Sequence, residues 1–113
     1  MMPAQVPAVD VDTAAEAPAS TVLLDVREHD EWIRGHAPSA THIAMSELAG
    51  RLAELDRTKR TICICRSGNR SARVTSWLRE QGFDAFNMTG GMSAWASFGH
   101  PIVNVAGDAG VVI

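Results

Sequence analysis

The sequence predicts an α/β fold with three layers, in which a small parallel sheet is flanked by helices. Short apolar runs alternate with helix-like segments along most of the chain, an order typical of a parallel sheet that is covered on both faces. The clearest runs, residues 21–26 and 61–64, are almost continuously apolar, as expected of strands buried on both sides. With 113 residues, 46% of them hydrophobic, the chain suffices for one domain with its own core.

The first half of the chain is predicted to contain two short helices and two strands. Residues 1–8 have no periodic pattern and are interpreted as a loose lead-in. Asp10 or Asp12 is expected to cap the first helix, and Gly35 ends the second. The predicted elements are a helix at 11–17, a strand at 21–26, a helix at 29–34 and a strand at 41–43.

The second half continues the alternation. Ser46 is expected to cap a helix that carries leucines on one face, and Gly82 ends the helix that follows the strand at 61–64. The remaining elements are a strand at 61–64, a helix at 72–81, a strand at 84–87 and, after Gly90-Gly91, a closing helix lined by Met92, Trp95 and Phe98. The predicted domain spans residues 9–103, and residues 104–113 form a tail to which the sequence assigns no conformation.

The segment between the strand at 61–64 and the next helix carries the most informative chemistry. Cys65 lies where the strand ends and a tight loop turns into the helix. Backbone N–H groups of such a loop and of the first helical turn converge on negative charge at its centre. A thiol there should ionise below its ordinary pKa of about 8.5, so Cys65 is predicted to be the catalytic nucleophile. The predicted anion-binding loop consists of Arg66, Ser67, Gly68, Asn69, Arg70 and Ser71.

The charge distribution favours small anions as ligands. A net charge of −3 argues against a general nucleic-acid binder, yet residues 57–79 hold seven of the ten basic residues and no acidic one. This segment contains the cysteine loop, so we expect a positive field at the site. Asp25 ends a predicted strand beside Cys65, at the edge of the sheet where ligands bind in parallel α/β folds. Asp25 and Arg27 are interpreted as structural supports.

Membrane, metal and cofactor sites are not predicted. No apolar run approaches the ~20 residues that cross a bilayer, and the N-terminus has no basic residue before Arg27 and no signal-type apolar core. We therefore expect a cytoplasmic protein that binds neither membranes nor nucleic acid. Two cysteines cannot form a disulfide framework, and the four histidines show no ligand spacing, so neither a metal nor a cofactor is expected.

Three motifs resemble those of the rhodanese family in order and spacing. The first is Leu24-Asp25-Val26-Arg27-Glu28 followed by Glu31-Trp32 and Gly35-His36-Ala37-Pro38-Ser39-Ala40. The second is Cys65-Arg66-Ser67-Gly68-Asn69-Arg70-Ser71, and the third is Gly90-Gly91-Met92-Ser93-Ala94-Trp95. The resemblance covers about residues 9–103. The chain departs from the family's usual residues at Ala37, Ser39 and Ala44, positions that shape a surface loop. The resemblance implies a rhodanese-like fold and sulfurtransferase activity.

The resemblance also implies a mechanism through a cysteine persulfide. The Cys65 thiolate would take sulfane sulfur from an anionic donor such as thiosulfate and pass it to cyanide or a thiol. Arg66 and Arg70 would orient the donor through charge-assisted hydrogen bonds. A sulfur-relay protein is a candidate partner.

Two other functions stay open. Cysteine-dependent phosphatases and arsenate reductases of similar fold use a loop thiolate against tetrahedral oxyanions, but they need a longer loop than the four residues that separate Cys65 from Arg70. A carrier module that holds a persulfide without turning over is the other alternative. Loop length favours sulfur over phosphate, and it does not distinguish an enzyme from a carrier.

Overall fold

The computed structural model of the protein describes residues 6–113, which form one five-stranded sheet with every strand pair parallel. The strands are β1 (Ala8–Val9), β2 (Val22–Asp25), β3 (Thr41–His42), β4 (Thr61–Ile64) and β5 (Ala85–Met88), in the spatial order β1-β5-β4-β2-β3. The helices are α1 (Val11–Ala15), α2 (His29–Arg34), α3 (Asn69–Glu80) and α4 (Gly91–Ser97), with 3₁₀ helices at Met45–Glu47 and Ala49–Glu54. The predicted parallel α/β fold is confirmed.

The central strands pack two apolar layers, one on each face of the sheet. Leu24 and Cys63 belong to the layer that contains the buried side chains of α3, whereas Leu23 and Ile62 belong to the layer with α1 and α4. This division follows from the strand geometry, since successive side chains point to opposite faces. Cys65 joins the layer of Cys63. Cys65 therefore lies on the α3 side of the sheet.

Most predicted elements are present with adjusted ends. α2 and β4 have the predicted bounds, while the helix predicted at 11–17 ends at Ala15 and the strand predicted at 84–87 runs from Ala85 to Met88. α3 starts at Asn69, before the predicted residue 72. Asp10 is the N-cap of α1, because its Oδ1 accepts a hydrogen bond of 2.8 Å from the Thr13 N–H.

The lead-in prediction is wrong for its last residue. Ala8 and Val9 form the edge strand β1, which pairs with Asn87 and Met88 of β5. A strand of two residues is too short to show an alternating pattern, and its pairing partner lies far along the chain. Residues 1–5 of the predicted lead-in lie outside the described residues.

Two further helix predictions are corrected. Ser46 does not cap an α-helix: it lies inside the first 3₁₀ helix, whose N-cap is Ala44 with no side-chain cap hydrogen bond. The leucines nevertheless reach the core, as Leu48 and Leu55 are buried. Phe98 does not line the closing helix, which ends at Ser97, and its side chain is 64% exposed.

The C-terminal tail folds back over the end of α2. Val103 forms isolated bridges with His36 and with Ala109, and the Val111 N–H donates to the Arg34 carbonyl over 2.9 Å. The tail comes so close to Gly35 that a Cβ on this residue would lie 2.2 Å from the Val111 carbonyl oxygen. There is no room for a side chain at Gly35, so only glycine fits. The close contact holds the backbone carbonyl that accepts a hydrogen bond from Arg27.

Candidate active site

Cys65 lies directly beyond the C-terminal end of β4, between β2 and β5 in the sheet. The chain turns at once into α3, and Gly68 makes this turn with a φ of +100°, a left-handed conformation that favours glycine. The Gly68 N–H points back at the cysteine and donates to Sγ over 3.1 Å. The sequence thus places a thiol at the centre of a short loop whose N–H groups face inward.

The loop lowers the pKa of the Cys65 thiol. Burial alone disfavours the thiolate and raises the pKa, but the Ser71 hydroxyl and the backbone N–H groups of Ser71, Gly68 and Ser67 hydrogen-bond to the sulfur and outweigh it. The net pKa of Cys65 is below its ordinary value. The Ser71 Oγ lies 3.2 Å from Sγ. A lower pKa enlarges the fraction of thiolate, which is the nucleophilic form of cysteine.

Asn87 of β5 hydrogen-bonds to two residues of the Cys65 loop. Its Nδ2 donates to the Gly68 carbonyl over 3.1 Å, and its Oδ1 accepts a 2.6 Å hydrogen bond from the Ser71 hydroxyl. Ser71 is fully buried and Asn87 is 7% exposed. Sequence reasoning did not single out Asn87. The available signal was a polar residue inside an apolar strand run, since a buried amide needs partners.

The start of α4 hydrogen-bonds to the backbone of the Cys65 loop. The N–H groups of Met92 and Ser93 donate to the carbonyls of Cys65 and Arg66 over 2.8 and 2.9 Å. Gly91 allows this approach, because a Cβ there would lie 2.4 Å from the Cys65 carbonyl oxygen, and its φ of +58° favours glycine. The Gly90-Gly91 motif therefore lets α4 hold the backbone of Cys65 and Arg66.

The two loop arginines have different surroundings. The Arg70 guanidinium forms a bidentate ion pair with Glu31 of α2, with Nη1–Oε1 and Nη2–Oε2 distances of 2.7 and 2.8 Å. This pair holds the pKa of the Glu31 carboxyl below its ordinary value, chiefly through the Arg70 hydrogen bonds. Arg66 is exposed, and its side chain has no hydrogen-bond partner among residues 6–113. Arg66 is thus the loop cation that is free to meet an anion.

Asp25 and Arg27 form a fully buried ion pair at the end of β2. Arg27 Nε and Nη2 donate to the two carboxylate oxygens over 3.0 and 2.8 Å, and Nη2 also donates to the Gly35 carbonyl over 2.7 Å. These bonds tie β2 to Gly35, the C-cap of α2. Neither side chain hydrogen-bonds to the Cys65 loop in the described part of the chain. Their position fits the predicted supporting role.

Comparison with known proteins identifies the fold and its motifs. A family model described as "Rhodanese-like domain" matches residues 8–98. The chain belongs to the rhodanese family. The resemblance seen in the three sequence motifs is therefore confirmed, and the loop from Cys65 to Ser71 is a loop of a rhodanese-family domain.

Similar proteins share both sequence and fold with this rhodanese-family chain. "Putative sulfurtransferase YtwF" from Bacillus subtilis is 43% identical over 91 residues, covering 76% of this chain and 88% of the relative. A protein named "Sulfurtransferase" from Allochromatium vinosum is 32% identical over 99 residues, covering 84% and 92%. The crystal structure of a rhodanese-related protein from Thermoplasma volcanium is similar with a TM-score of 0.82 and 32% identity, covering 86% of this chain and 97% of that one.

Within residues 6–113, no group of three or more His, Cys, Asp and Glu side chains is arranged to hold a metal ion. No helix in that range is both long and apolar enough to cross a membrane.

Proposed function

We propose that this rhodanese-family protein is a sulfurtransferase that carries sulfane sulfur as a persulfide on Cys65. One observation carries the proposal: the Cys65 sulfur is surrounded by hydrogen-bond donors that lower its pKa despite its burial. Such donors stabilise negative charge on sulfur with dipoles already in place. They suit a thiolate in the free enzyme and a terminal sulfur anion in the loaded one.

The proposed reaction has two displacement steps. The Cys65 thiolate attacks the outer sulfur of thiosulfate, the S–S bond of the donor breaks, and sulfite leaves with the bonding electrons. A persulfide anion remains on Cys65. Cyanide or a thiolate then attacks the terminal sulfur, and the Cys65 thiolate is regenerated. No proton has to be moved at the sulfur, so the absence of a general base next to Cys65 in the described loop is consistent with the chemistry.

Thiosulfate or a similar anion is the proposed donor. Arg66 is exposed at the loop without a side-chain partner among the described residues, and it would bind the sulfonate oxygens by charge-assisted hydrogen bonds. Arg70 would contribute through its positive charge, with its guanidinium held by Glu31. The remaining loop members, Ser67, Gly68, Asn69 and Ser71, would supply backbone or hydroxyl donors.

A phosphatase or arsenate reductase is the less favoured candidate. Four residues separate Cys65 from Arg70, and the guanidinium of Arg70 is engaged by both oxygens of Glu31. Such an arginine is occupied where a phosphatase would need it to grip the phosphoryl oxygens. We therefore expect negligible hydrolysis of aryl phosphates.

Mass spectrometry of the intact protein after incubation with thiosulfate tests the proposal. We expect a gain of one sulfur that cyanide removes, together with thiocyanate formed over many turnovers. Loading with sulfur but no repeated thiocyanate release would indicate a carrier. No added sulfur, with robust phosphatase turnover, would contradict the proposal.

The proposed acceptors are cyanide or a thiol, including the thiol of a sulfur-relay protein. We also propose a cytoplasmic location, because a thiol that must return to its free form after each transfer suits reducing surroundings. Fractionation of the producing cells, followed by detection of the protein in each fraction, checks this location.

A further inference from the structure

The Ser71 hydroxyl lies between two acceptors but has one hydrogen to donate. Its oxygen is 2.6 Å from Asn87 Oδ1 and 3.2 Å from Cys65 Sγ. All three groups are buried, so water cannot readily replace a lost partner. Only one of the two acceptors can receive the hydrogen at any moment.

The orientation of the Asn87 amide makes this competition unavoidable. Nδ2 donates to the Gly68 carbonyl over 3.1 Å. A flipped amide would set two carbonyl oxygens against each other at that contact. Oδ1 must therefore face Ser71, where it acts as an acceptor and cannot release the hydroxyl by becoming a donor.

We propose that Asn87 is a positioning residue that holds the Ser71 hydrogen away from Cys65 Sγ until this sulfur carries negative charge. When Cys65 is a neutral thiol, the shorter bond to Asn87 is the better one. When Cys65 is a thiolate, the charged sulfur is the stronger acceptor, and the hydroxyl turns to it. Asn87 Oδ1 is then left buried without that partner, and this loss opposes ionisation.

Charged and titratable groups on the elements next to Cys65 keep their contributions in the variants proposed below. Cys63 on β4 and Arg70 on α3 interact with Cys65 electrostatically, and the neighbouring elements also carry Asp25 at the end of β2, Arg27 after it, Glu31 on α2 and Arg66 in the loop. None of them hydrogen-bonds to the Ser71 hydroxyl among the described residues. Asn87 also donates to the Gly68 carbonyl, so its effect through Ser71 has to be separated from this tether, and only the Ser71 route needs the Ser71 hydroxyl.

If the proposed function holds, the same contact favours the sulfur-loaded state. In the persulfide, the negative charge moves to the terminal sulfur and Sγ becomes a weak acceptor. The Ser71 hydroxyl then returns to Asn87, and both buried groups are satisfied again. Asn87 thus disfavours the free thiolate relative to the persulfide, which strengthens retention of the sulfur.

The test is the pH dependence of Cys65 alkylation by iodoacetamide, followed at the Cys65 peptide by mass spectrometry. The midpoint of this profile reports the acidity of the thiol whatever its accessibility. We expect Asn87→Leu to lower the midpoint by roughly half a pH unit, the size of one modest hydrogen bond. Asn87→Asp, which keeps the acceptor and adds charge, is expected to raise it.

The matched variants separate this role from a simple tether. If Asn87 only tethered the loop, loss of the donor to the Gly68 carbonyl would disturb the loop donors and raise the midpoint in both Asn87→Leu and Asn87→Asp, whereas the Ser71 route lowers it in Asn87→Leu. In a Ser71→Ala background, the lowering by Asn87→Leu should be lost, and only the effect of the missing tether should remain. If Asn87→Leu does not fold by circular dichroism, Asn87→Asp decides: its rise must be smaller in the Ser71→Ala background.

A midpoint that rises in Asn87→Leu, or that shifts equally with and without the Ser71 hydroxyl, would overturn the proposal. The readout does not involve sulfur transfer. Expected midpoint shifts in a protein that never gains sulfur from thiosulfate would therefore reject the proposed function and leave the role of Asn87 standing.

Discussion

Cys63 and Cys65 lie on the same face of the sheet, two residues apart, and belong to the same apolar layer. The pKa values of their thiols nevertheless shift in opposite directions from that of an ordinary cysteine. Burial raises the pKa of Cys63 to about 12, whereas the loop hydrogen bonds lower the pKa of Cys65 in spite of burial. The difference lies in the donors: Cys63 is inside a paired strand, where backbone N–H groups are used by the sheet, and Cys65 is just beyond it.

The position of Cys65 past the strand end explains why its pKa is lowered. The backbone there is released from the ladder and turned inward at Gly68, so its N–H groups become available to the sulfur. Two residues along the chain thus separate a thiol with a raised pKa from one with a lowered pKa. The following changes test how far this difference depends on the loop.

Removal of the nucleophile should have the largest effect. We expect Cys65→Ser to abolish sulfur transfer from thiosulfate to cyanide with the fold retained, because a hydroxyl does not form the thiolate needed for attack. Cys63→Ser is the matched control and should keep the activity of any folded protein. Comparable loss of thiocyanate formation in a folded Cys63→Ser variant would mean that the wrong thiol had been assigned.

Distortion of the loop should come next. In Gly91→Ala, the new Cβ would lie 2.4 Å from the Cys65 carbonyl oxygen, in a backbone conformation with φ +58° that costs other residues about 1–3 kcal/mol. We expect lower stability and a Cys65 alkylation midpoint that moves up toward an ordinary thiol. Gly50→Ala, at a position with no atom near the new Cβ, is the control. An unchanged midpoint in folded Gly91→Ala would show that α4 does not shape the loop.

Loss of the loop arginines should lower kcat/KM for the sulfur donor more than it changes the pKa of the Cys65 thiol. Arg66→Ala should lower kcat/KM for thiosulfate roughly 10- to 100-fold, the value of a charge-assisted hydrogen bond of about 1.5–3 kcal/mol, without a change in Tm. Arg70→Ala should also lower the Tm slightly, because it breaks the half-buried pair with Glu31. Unchanged kinetics in both variants would remove the arginines from donor binding.

The smallest effect should appear in the pH dependence of stability. Between the ordinary thiol pKa of about 8.5 and about 12, the unfolded chain loses a proton that native Cys63 keeps, so stability falls as pH rises. For Cys65 the sign is reversed: stability rises with pH from its lowered pKa up to the ordinary value. The chain has no tyrosine, a residue that would titrate over the same pH range. In urea unfolding at a series of pH values, Cys63→Ala should flatten the alkaline fall, and a slope unaffected by the substitution would contradict the assignment.

The sequence predicted the parts of the molecule whose signals are local. The β4 run, the Cys65 loop and the glycines at 35, 68 and 90–91 are contiguous motifs, and each residue type has a direct conformational or chemical reason. The fold class followed from the alternation of apolar runs, since strands buried on both faces imply a parallel sheet.

The contacts that required the structure join distant parts of the chain. Glu31 meets Arg70 across 39 residues, and Ser71 meets Asn87 across 16. β1 has two residues and is defined only by its pairing with β5. No local pattern encodes these pairings, because they depend on strand order and register, which place Asn87 beside Cys63 in the sheet.

The most direct measurement compares both thiols in one native protein across pH, with alkylation at each cysteine quantified from its own peptide. Cys65 should react with a midpoint below that of an ordinary thiol. Cys63 should stay unmodified at the same pH and react only after the protein is unfolded in urea. Equal midpoints for the two cysteines, or a Cys65 midpoint at or above about 8.5, would contradict the conclusion that the loop donors create the nucleophile.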